Sequence, residues 1–307
     1  MSNAKDLPLN KLKEGSMLAF WTVSKSGYRI TNDLKYFGEP KPRTDPPFIV
    51  PNSGIRKVCP LLGNKLLHRN FADLDCDKEN DILKFANEYG LLGNPLLLAP
   101  PSGGEIITGE SLSEWKSLNN KLGLLLAIWN LVKAENAGKL GQFITWSIGG
   151  DRVQLSAHWV KGDNGYICSP GTNDFQAFRK KYEKRDCGQV MDLIASKYNN
   201  PELLKRWHRG NVIKPALFYV CREVNKNLDS RFSFKILPFM NKNIYTMPTT
   251  LESAIWLMFA YEISGKSEAV QCPLCSEWFE RYHKREIFCS KACKQKDYRR
   301  RKKEGAK

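Results

Sequence analysis

The sequence predicts an α+β fold, with a mostly helical N-terminal domain followed by a small finger held by cysteines. Apolar residues recur at helical spacing in several segments, whereas the two segments that flank 149–151 alternate like strands. Four cysteines then occur as two close pairs, directly before a run of Lys and Arg. We place the boundary at residue 265. Residues 1–265 form an α+β domain of unknown ligand with a flexible leader at 1–15, and 266–307 form the finger.

The N-terminal part of the chain predicts short strands and an extended loop. Apolar and β-branched residues at 17–23 and 27–31 indicate two strands, which a short turn at 24–26 joins as a hairpin. Five prolines occur within 38–54, which predicts an extended surface connection.

Two helices are marked by their end signals. The first spans 77–90, with an aspartate cap and a terminal glycine. The second is the longest helix and runs from Ser111 to near Gly138. Ser111 and Glu114 have the spacing of a capping box, and the apolar stripe that follows predicts a core helix.

The middle of the chain predicts a hairpin and then further helices. Residues 142–148 and 152–159 alternate around a Gly-Gly-Asp turn, which indicates a β-hairpin. His158 near its end is predicted to be packed or at the surface and not catalytic. Residues 161–173 predict a polar loop. Apolar spacing then indicates four helices, at 174–185, 188–197, 201–208 and 211–227. A strand is expected at 232–237.

The last helix before the finger begins after Pro248, where Thr249 and Glu252 have capping-box spacing, and ends at Gly265. Residues 260–267, AYEISGKS, match a permissive phosphate-loop pattern. That motif requires a strand before the loop and a helix after it. Here a helix comes before and a cysteine pair after, so we interpret Gly265 as a helix end.

The cysteine pattern is C-x2-C-x13-C-x3-C and comprises Cys272, Cys275, Cys289 and Cys293. Two close thiol pairs separated by one short hairpin are typical of one structural Zn²⁺ held by four thiolates. Two disulfides, four free thiols, or His283 in place of one thiolate are alternatives. We expect strands at 278–279 and 287–288 with a turn over 282–285, then a helix capped by Ser290 that runs to about 303, close to a treble clef.

Positive charge is concentrated in the finger. The net charge is +16, and residues 272–307 contribute twelve Lys/Arg against five Asp/Glu, or +7. Such a cluster attracts phosphate backbones, although a solvated tail is an alternative. The predicted nucleic-acid contacts are Lys291, Lys294, Lys296, Arg299, Arg300, Arg301, Lys302 and Lys303. No apolar run approaches the roughly 20 residues that span a bilayer, and no signal peptide is evident, so we expect a cytoplasmic protein without membrane contacts.

The stretch CPLCSEWFERYHKREIFCSKACKQKDYRRRKK resembles the CGNR-type zinc fingers of bacteria, a treble-clef type. The four cysteines match the ligand positions, and Trp278 and Phe279 match the aromatic positions. The family's C-G-N-R reads Cys293-Lys294-Gln295-Lys296 here. FADLDCDKENDILKFANEYGLLG and LESAIWLMFAYEISGKSEAVQC are similar to the N-terminal parts of such proteins. The resemblance implies an N-terminal domain of unknown ligand and a role in transcription.

Three functions follow as expectations. The first is a DNA-binding transcriptional regulator whose large domain binds a small ligand or dimerises. The second is a module of a protein-interaction or defence complex, in which the finger is only a structural clip. The third is an enzyme with an unrecognised site in the large domain. An HNH-type nuclease site is disfavoured, because the basic helix offers only Asp297 as a further ligand.

Overall fold

The computed structural model describes residues 21–37, 47–58, 66–162, 165–170, 175–182, 187–229, 232–236, 244–281, 283 and 285–304. The fold is mixed helix and sheet, in agreement with the predicted α+β class. The chain divides into two compact units, one of Met1–Trp115 with Asn227–Lys307 and one of Lys116–Lys226. The leader predicted at 1–15 lies outside the described residues, and the boundary at 265 stays a prediction.

The first unit opens with five short strands: β1 Trp21–Ser24, β2 Tyr28–Thr31, β3 Lys35–Tyr36, β4 Phe48–Pro51 and β5 Ile55–Val58. The hairpin predicted around 24–26 is wrong, because β1 pairs with β5 and β2 pairs with β4. Strand β2 finds its partner, β4, within the proline-rich stretch at 38–54 that was predicted to be a loop, and β5 follows directly after that stretch. In β4, Phe48, Ile49 and Val50 are buried, and prolines flank this apolar run at the strand ends, where they are tolerated.

Two helices and two further strands follow: α1 Leu67–Ala72, α2 Glu79–Tyr89, β6 Leu96–Ala99 and β7 Ile107–Ser111. The helix predicted at 77–90 is confirmed as α2, and Gly90 ends it with φ +93°. The aspartate cap is wrong, since Lys78 occupies the N-cap position and makes no side-chain cap bond. Strands β6 and β7 were not predicted. They complete an antiparallel sheet of order β2-β4-β7-β6-β3.

The long helix α3, Leu112–Lys133, runs from the first unit into the second. The Oγ of Ser111 accepts a bond from the Ser113 N–H at 3.2 Å, as expected of a cap. The second bond of the predicted capping box, from the Ser111 N–H to the Glu114 carboxylate, is absent among the described residues, because Glu114 Oε2 has no partner there. The helix ends before Gly138, since Glu135 takes the left-handed conformation with φ +49°.

The second unit continues with α4 Ala137–Leu140, β8 Ile144–Trp146, β9 Arg152–Gly162, β10 Gly165–Pro170, α5 Phe175–Lys181, β11 Cys187–Ser196, α6 Pro201–Trp207 and α7 Ile213–Leu228. The predicted β8–β9 hairpin is confirmed, and β10 and β11 flank β9 in an antiparallel sheet. His158 is buried between the rings of Phe175 and Phe178, with centroids 5.1 and 5.3 Å away, so it is packed as predicted.

Two predictions in the second unit are wrong. Residues 161–173 include strand β10, because Gly165–Pro170 pairs antiparallel with β9. Residues 188–197 form strand β11 and not a helix. Exposed and half-buried residues alternate from Gln189 to Leu193, which is the period of a half-buried strand.

The chain returns to the first unit through β12 Phe232–Ile236, β13 Ile244–Pro248 and α8 Leu251–Ile263. Strand β12 confirms the prediction at 232–237. The predicted cap of α8 is displaced by one residue. Thr250 Oγ1 accepts from the Ser253 N–H at 3.1 Å, and Ser253 Oγ accepts from the Thr250 N–H at 2.9 Å. Gly265, with φ +74°, closes the helix, as expected for a helix end.

Candidate metal centre and the basic helix beside it

The finger consists of a short hairpin and a helix. Strands β14 Ala269–Gln271 and β15 Trp278–Glu280 pair antiparallel, and α9 Lys291–Glu304 follows. The strand predicted at 278–279 is confirmed, but its predicted partner at 287–288 is wrong. The strand pairs upstream with β14, so the first cysteine pair lies at the tip of the hairpin.

The hairpin tip folds into a tight turn around the first cysteine pair. The Ser276 N–H donates to the Cys272 carbonyl at 2.9 Å, and the Cys272 N–H donates to the Glu277 carbonyl at 2.9 Å. Ser276 takes a positive φ of +60° to make this turn. The turn therefore holds Cys272 and Cys275 in a fixed relation, as a cysteine knuckle requires.

The second pair is positioned by the start of α9. As predicted, Ser290 caps the helix, because its Oγ accepts a bond from the Cys293 N–H at 3.2 Å. Cys289 then lies just before the helix, and Cys293 lies in its first turn. A single cap thus fixes both members of the pair.

The structure brings all four predicted ligands together, since their sulfurs lie within 4.8 Å of one another. The Sγ atoms of Cys275 and Cys289 are 3.5 Å apart, those of Cys289 and Cys293 are 3.5 Å, and those of Cys275 and Cys293 are 3.7 Å. Four thiolates about 2.3 Å from a tetrahedral Zn²⁺ would be separated by about 3.8 Å. The cluster therefore fits a tetrahedral metal ion.

The alternatives to a four-thiolate site fit less well. The sulfur separations are well above the roughly 2.05 Å of a disulfide bond, and the four cysteines are free. His283 is exposed and does not belong to the cluster. The backbone N–H of His283 donates to Glu286 Oε2 at 3.2 Å.

Three thiols of the cluster, those of Cys272, Cys275 and Cys289, have perturbed pKa values. Burial raises the pKa of Cys272, but the backbone N–H groups of Cys289, Cys275 and Leu274 outweigh it and lower the pKa to about 6. For Cys289, burial and the neighbouring sulfurs of Cys275 and Cys293 raise the pKa to about 12. The thiolate of Cys272 is thus favoured, whereas the raised pKa values of Cys275 and Cys289 mean that these two thiols resist ionisation. A bound cation would reverse that resistance.

A buried polar cluster behind the finger was not predicted. The Glu262 carboxylate on α8 accepts from Arg69 Nε at 2.7 Å and from Arg69 Nη2 at 2.5 Å, and it bonds His68 Nε2 at 2.8 Å. The Arg69 guanidinium also lies over the Trp278 ring, 3.8 Å from its centroid. The first strand after the knuckle is thereby attached to α1 and α8.

This cluster is strongly charged although it is buried. Burial raises the pKa of Glu262, but its hydrogen bonds to Arg69 and His68 outweigh burial and hold the pKa well below the ordinary value of 4.5. Burial lowers the pKa of His68, against the opposing effect of Glu262. About 190 residues separate α1 from Glu262, so no local sequence signal could have predicted the contact.

The predicted nucleic-acid contacts fall into two groups. Arg300 and Arg301 pair with Asp297, which is only 5% exposed. Another five are exposed and have no acidic partner in the described part of the chain: Lys291, Lys294, Lys296, Arg299 and Lys302. The side chain of Lys303 lies outside the described residues.

A groove of about 480 Å³ lies beside the knuckle, between α2 and the segment from Cys275 to Trp278. Its charged lining is mostly acidic and comprises Asp73, Asp75, Asp81, Glu88, Glu277 and Lys84. Carboxylates repel phosphate, so this groove has the wrong charge for a nucleic-acid backbone.

The first unit also contains a group of three glutamates. Glu110 accepts from the Leu92 and Asn94 N–H groups and from Trp115 Nε1, each at 2.8 Å. Glu252 accepts from Asn94 Nδ2 at 2.8 Å. Burial, followed by the charges of Glu110 and Glu252, raises the pKa of Glu114. Two of the three glutamates thus anchor one loop, which is a structural role.

Among the described residues, no helix combines the length and the apolar character that a membrane crossing requires. No protein-family model, curated protein or solved structure matches this chain. The resemblance to CGNR-type fingers therefore stays a prediction.

Proposed function

We propose that this protein binds nucleic acid, and specifically DNA, through α9. We also propose that one Zn²⁺ bound by the four cysteines holds that helix in place. The observation that supports this proposal most directly is the positive charge on α9, where five exposed cations lack an acidic partner in the described part of the chain. Cations so arranged bind phosphate backbones. In the cell, such a protein would act as a transcriptional regulator.

The metal matters because α9 has no apolar face of its own. It spans 14 residues, and nearly all of its side chains from Lys291 to Lys302 are polar and exposed. Isolated helices of that length are marginal in water. Cys293 attaches the helix to the rest of the finger, because its sulfur belongs to the cysteine cluster. Structural Zn²⁺ contributes on the order of 10 kcal/mol to such small domains.

The proposal is tested by the salt dependence of binding. Fluorescence anisotropy of a labelled random duplex, at about 50 and 200 mM salt, measures how many phosphates are contacted. The variant Lys291→Ala/Lys294→Ala/Arg299→Ala should lower the slope of log K against log salt by roughly 0.9 per lost contact. A matched variant, Lys205→Ala/Arg206→Ala/Lys226→Ala, removes three exposed cations from α6 and α7 and should leave the slope unchanged. Equal slopes in both variants would contradict the role of α9.

A second candidate is favoured by the contact between Arg69 and Trp278. It attaches the finger to α1 and α8, as expected if the finger is a structural clip in a protein-interaction or defence-type complex. Retention on heparin or duplex DNA separates the two functions. A clip requires one zinc per chain and no retention at physiological salt. A nucleic-acid-binding finger requires retention that the three α9 substitutions abolish.

A further inference from the structure

The two faces of α9 differ in what they carry. Cys293 and Asp297 are four residues apart and therefore lie on one face of the helix. Asp297 is buried, and it pairs with Arg300 at 3.1 Å and with Arg301. This face holds the metal ligand and a neutralised carboxylate. Asp297 neutralises part of the charge of these two arginines.

The opposite face carries a cationic stripe with one aromatic ring. At 100° per residue, Lys291, Gln295, Tyr298 and Lys302 follow one another along a single side, with Arg299 beside them. Tyr298 is 67% exposed, and its ring packs against no other ring within the described residues. An aromatic side chain that contributes nothing to the core is therefore presented among cations.

This combination favours one form of nucleic acid. In a duplex the base faces are stacked inside, so an exposed ring has no base to cover. A single strand offers unstacked bases, on which aromatic side chains stack while cations follow the backbone. We propose that α9 binds single-stranded nucleic acid, with Tyr298 stacked on a base and Lys291, Arg299 and Lys302 on phosphates. The inference rests on the proposed function and names its ligand.

The test compares a labelled unstructured single strand with the duplex of the same sequence by anisotropy. The wild type should bind the single strand more tightly. Tyr298→Ala should weaken single-strand binding about tenfold and change duplex binding less than about twofold, and Tyr298→Phe should retain affinity. Tyr198→Ala, which removes an exposed tyrosine from the second unit, is the matched control and should change neither.

The salt slope separates stacking from charge. Tyr298→Ala should leave the slope on the single strand unchanged, whereas Lys291→Ala/Lys302→Ala should lower it by roughly 0.7 per lost contact. Two results would overturn the inference and leave the proposed function standing. One is an affinity for the duplex that equals or exceeds the affinity for the single strand. The other is a Tyr298→Ala variant that binds both forms as tightly as the wild type does. Binding to neither form, in a protein with its full zinc content, would refute both.

Discussion

The finger and the buried cluster of Arg69, His68 and Glu262 show two ways in which polar atoms hold a structure together. In the finger, four thiols are gathered from 22 residues of chain, in an arrangement that fits a tetrahedral cation. In the cluster, Glu262 is satisfied by Arg69 and His68 without a metal, across most of the chain. The finger should therefore depend on metal supply, whereas the cluster should depend on pH and on each of its members. The two meet where Trp278 lies over Arg69.

The largest expected effect comes from removing a thiolate. Cys289→Ser should reduce bound zinc from one per chain to none and should unfold α9, because the remaining residues of the finger bury too little apolar surface. Elemental analysis gives the zinc content, and loss of helical circular dichroism reports α9. Cys187→Ser, at a partly exposed single cysteine, is the control and should retain the zinc. A Cys289→Ser protein that still holds one zinc would show that the four sulfurs are not the ligand set.

Breaking the cluster should cost less than losing the metal. Glu262→Gln leaves the buried Arg69 cation without its carboxylate, which should lower the free energy of unfolding by about 3–5 kcal/mol. Chemical denaturation measures the loss. The exposed pair of Asp151 and Lys197 provides the control, since Asp151→Asn should lower the free energy of unfolding much less. Equal losses in the two variants would mean that the buried pair is not structural.

Sequence reasoning succeeds where the determining residues are close together in the chain. The cysteine spacing, the Ser290 cap and the β8–β9 hairpin are all local, and each was predicted correctly in position. The partner of β15 was wrong, because three residues at Ala269–Gln271 are too short a strand to recognise alone. The contacts of Glu262 could not be predicted at all, because a glutamate on a largely apolar helix gives no indication of which distant cation it meets.

The pH response should distinguish the cluster from the rest of the molecule. The pKa of His68 is lowered in the folded protein, so the unfolded chain binds the extra proton first. Stability from this residue is present above the ordinary histidine pKa of 6.5 and is lost as pH falls below it. The lowered pKa of Glu262 acts in the same direction below 4.5. We expect the melting temperature to fall between pH 7.5 and pH 5.5.

The variant His68→Gln isolates the first of these effects, because it removes the titrating ring and keeps a side chain that forms hydrogen bonds. Its melting temperature should vary less with pH than that of the wild type. Thiolate protonation also weakens zinc binding in acid, but it affects both proteins equally. Parallel pH profiles for the two proteins would therefore exclude His68 as the source of the response.

The smallest effect is expected where the two regions meet. Trp278→Ala removes the ring over Arg69 but no zinc ligand, so it should lower the free energy of unfolding by about 0.5–2 kcal/mol while the zinc content stays at one. Tyr198→Ala removes a ring near the exposed Lys197 and should cost less. The double variant Trp278→Ala/Glu262→Gln decides whether the regions are coupled. If Arg69 links them, the double variant loses less stability than the sum of the single losses, because either change alone already frees the guanidinium. Additive losses would mean that the finger and the α1–α8 cluster are stabilised independently.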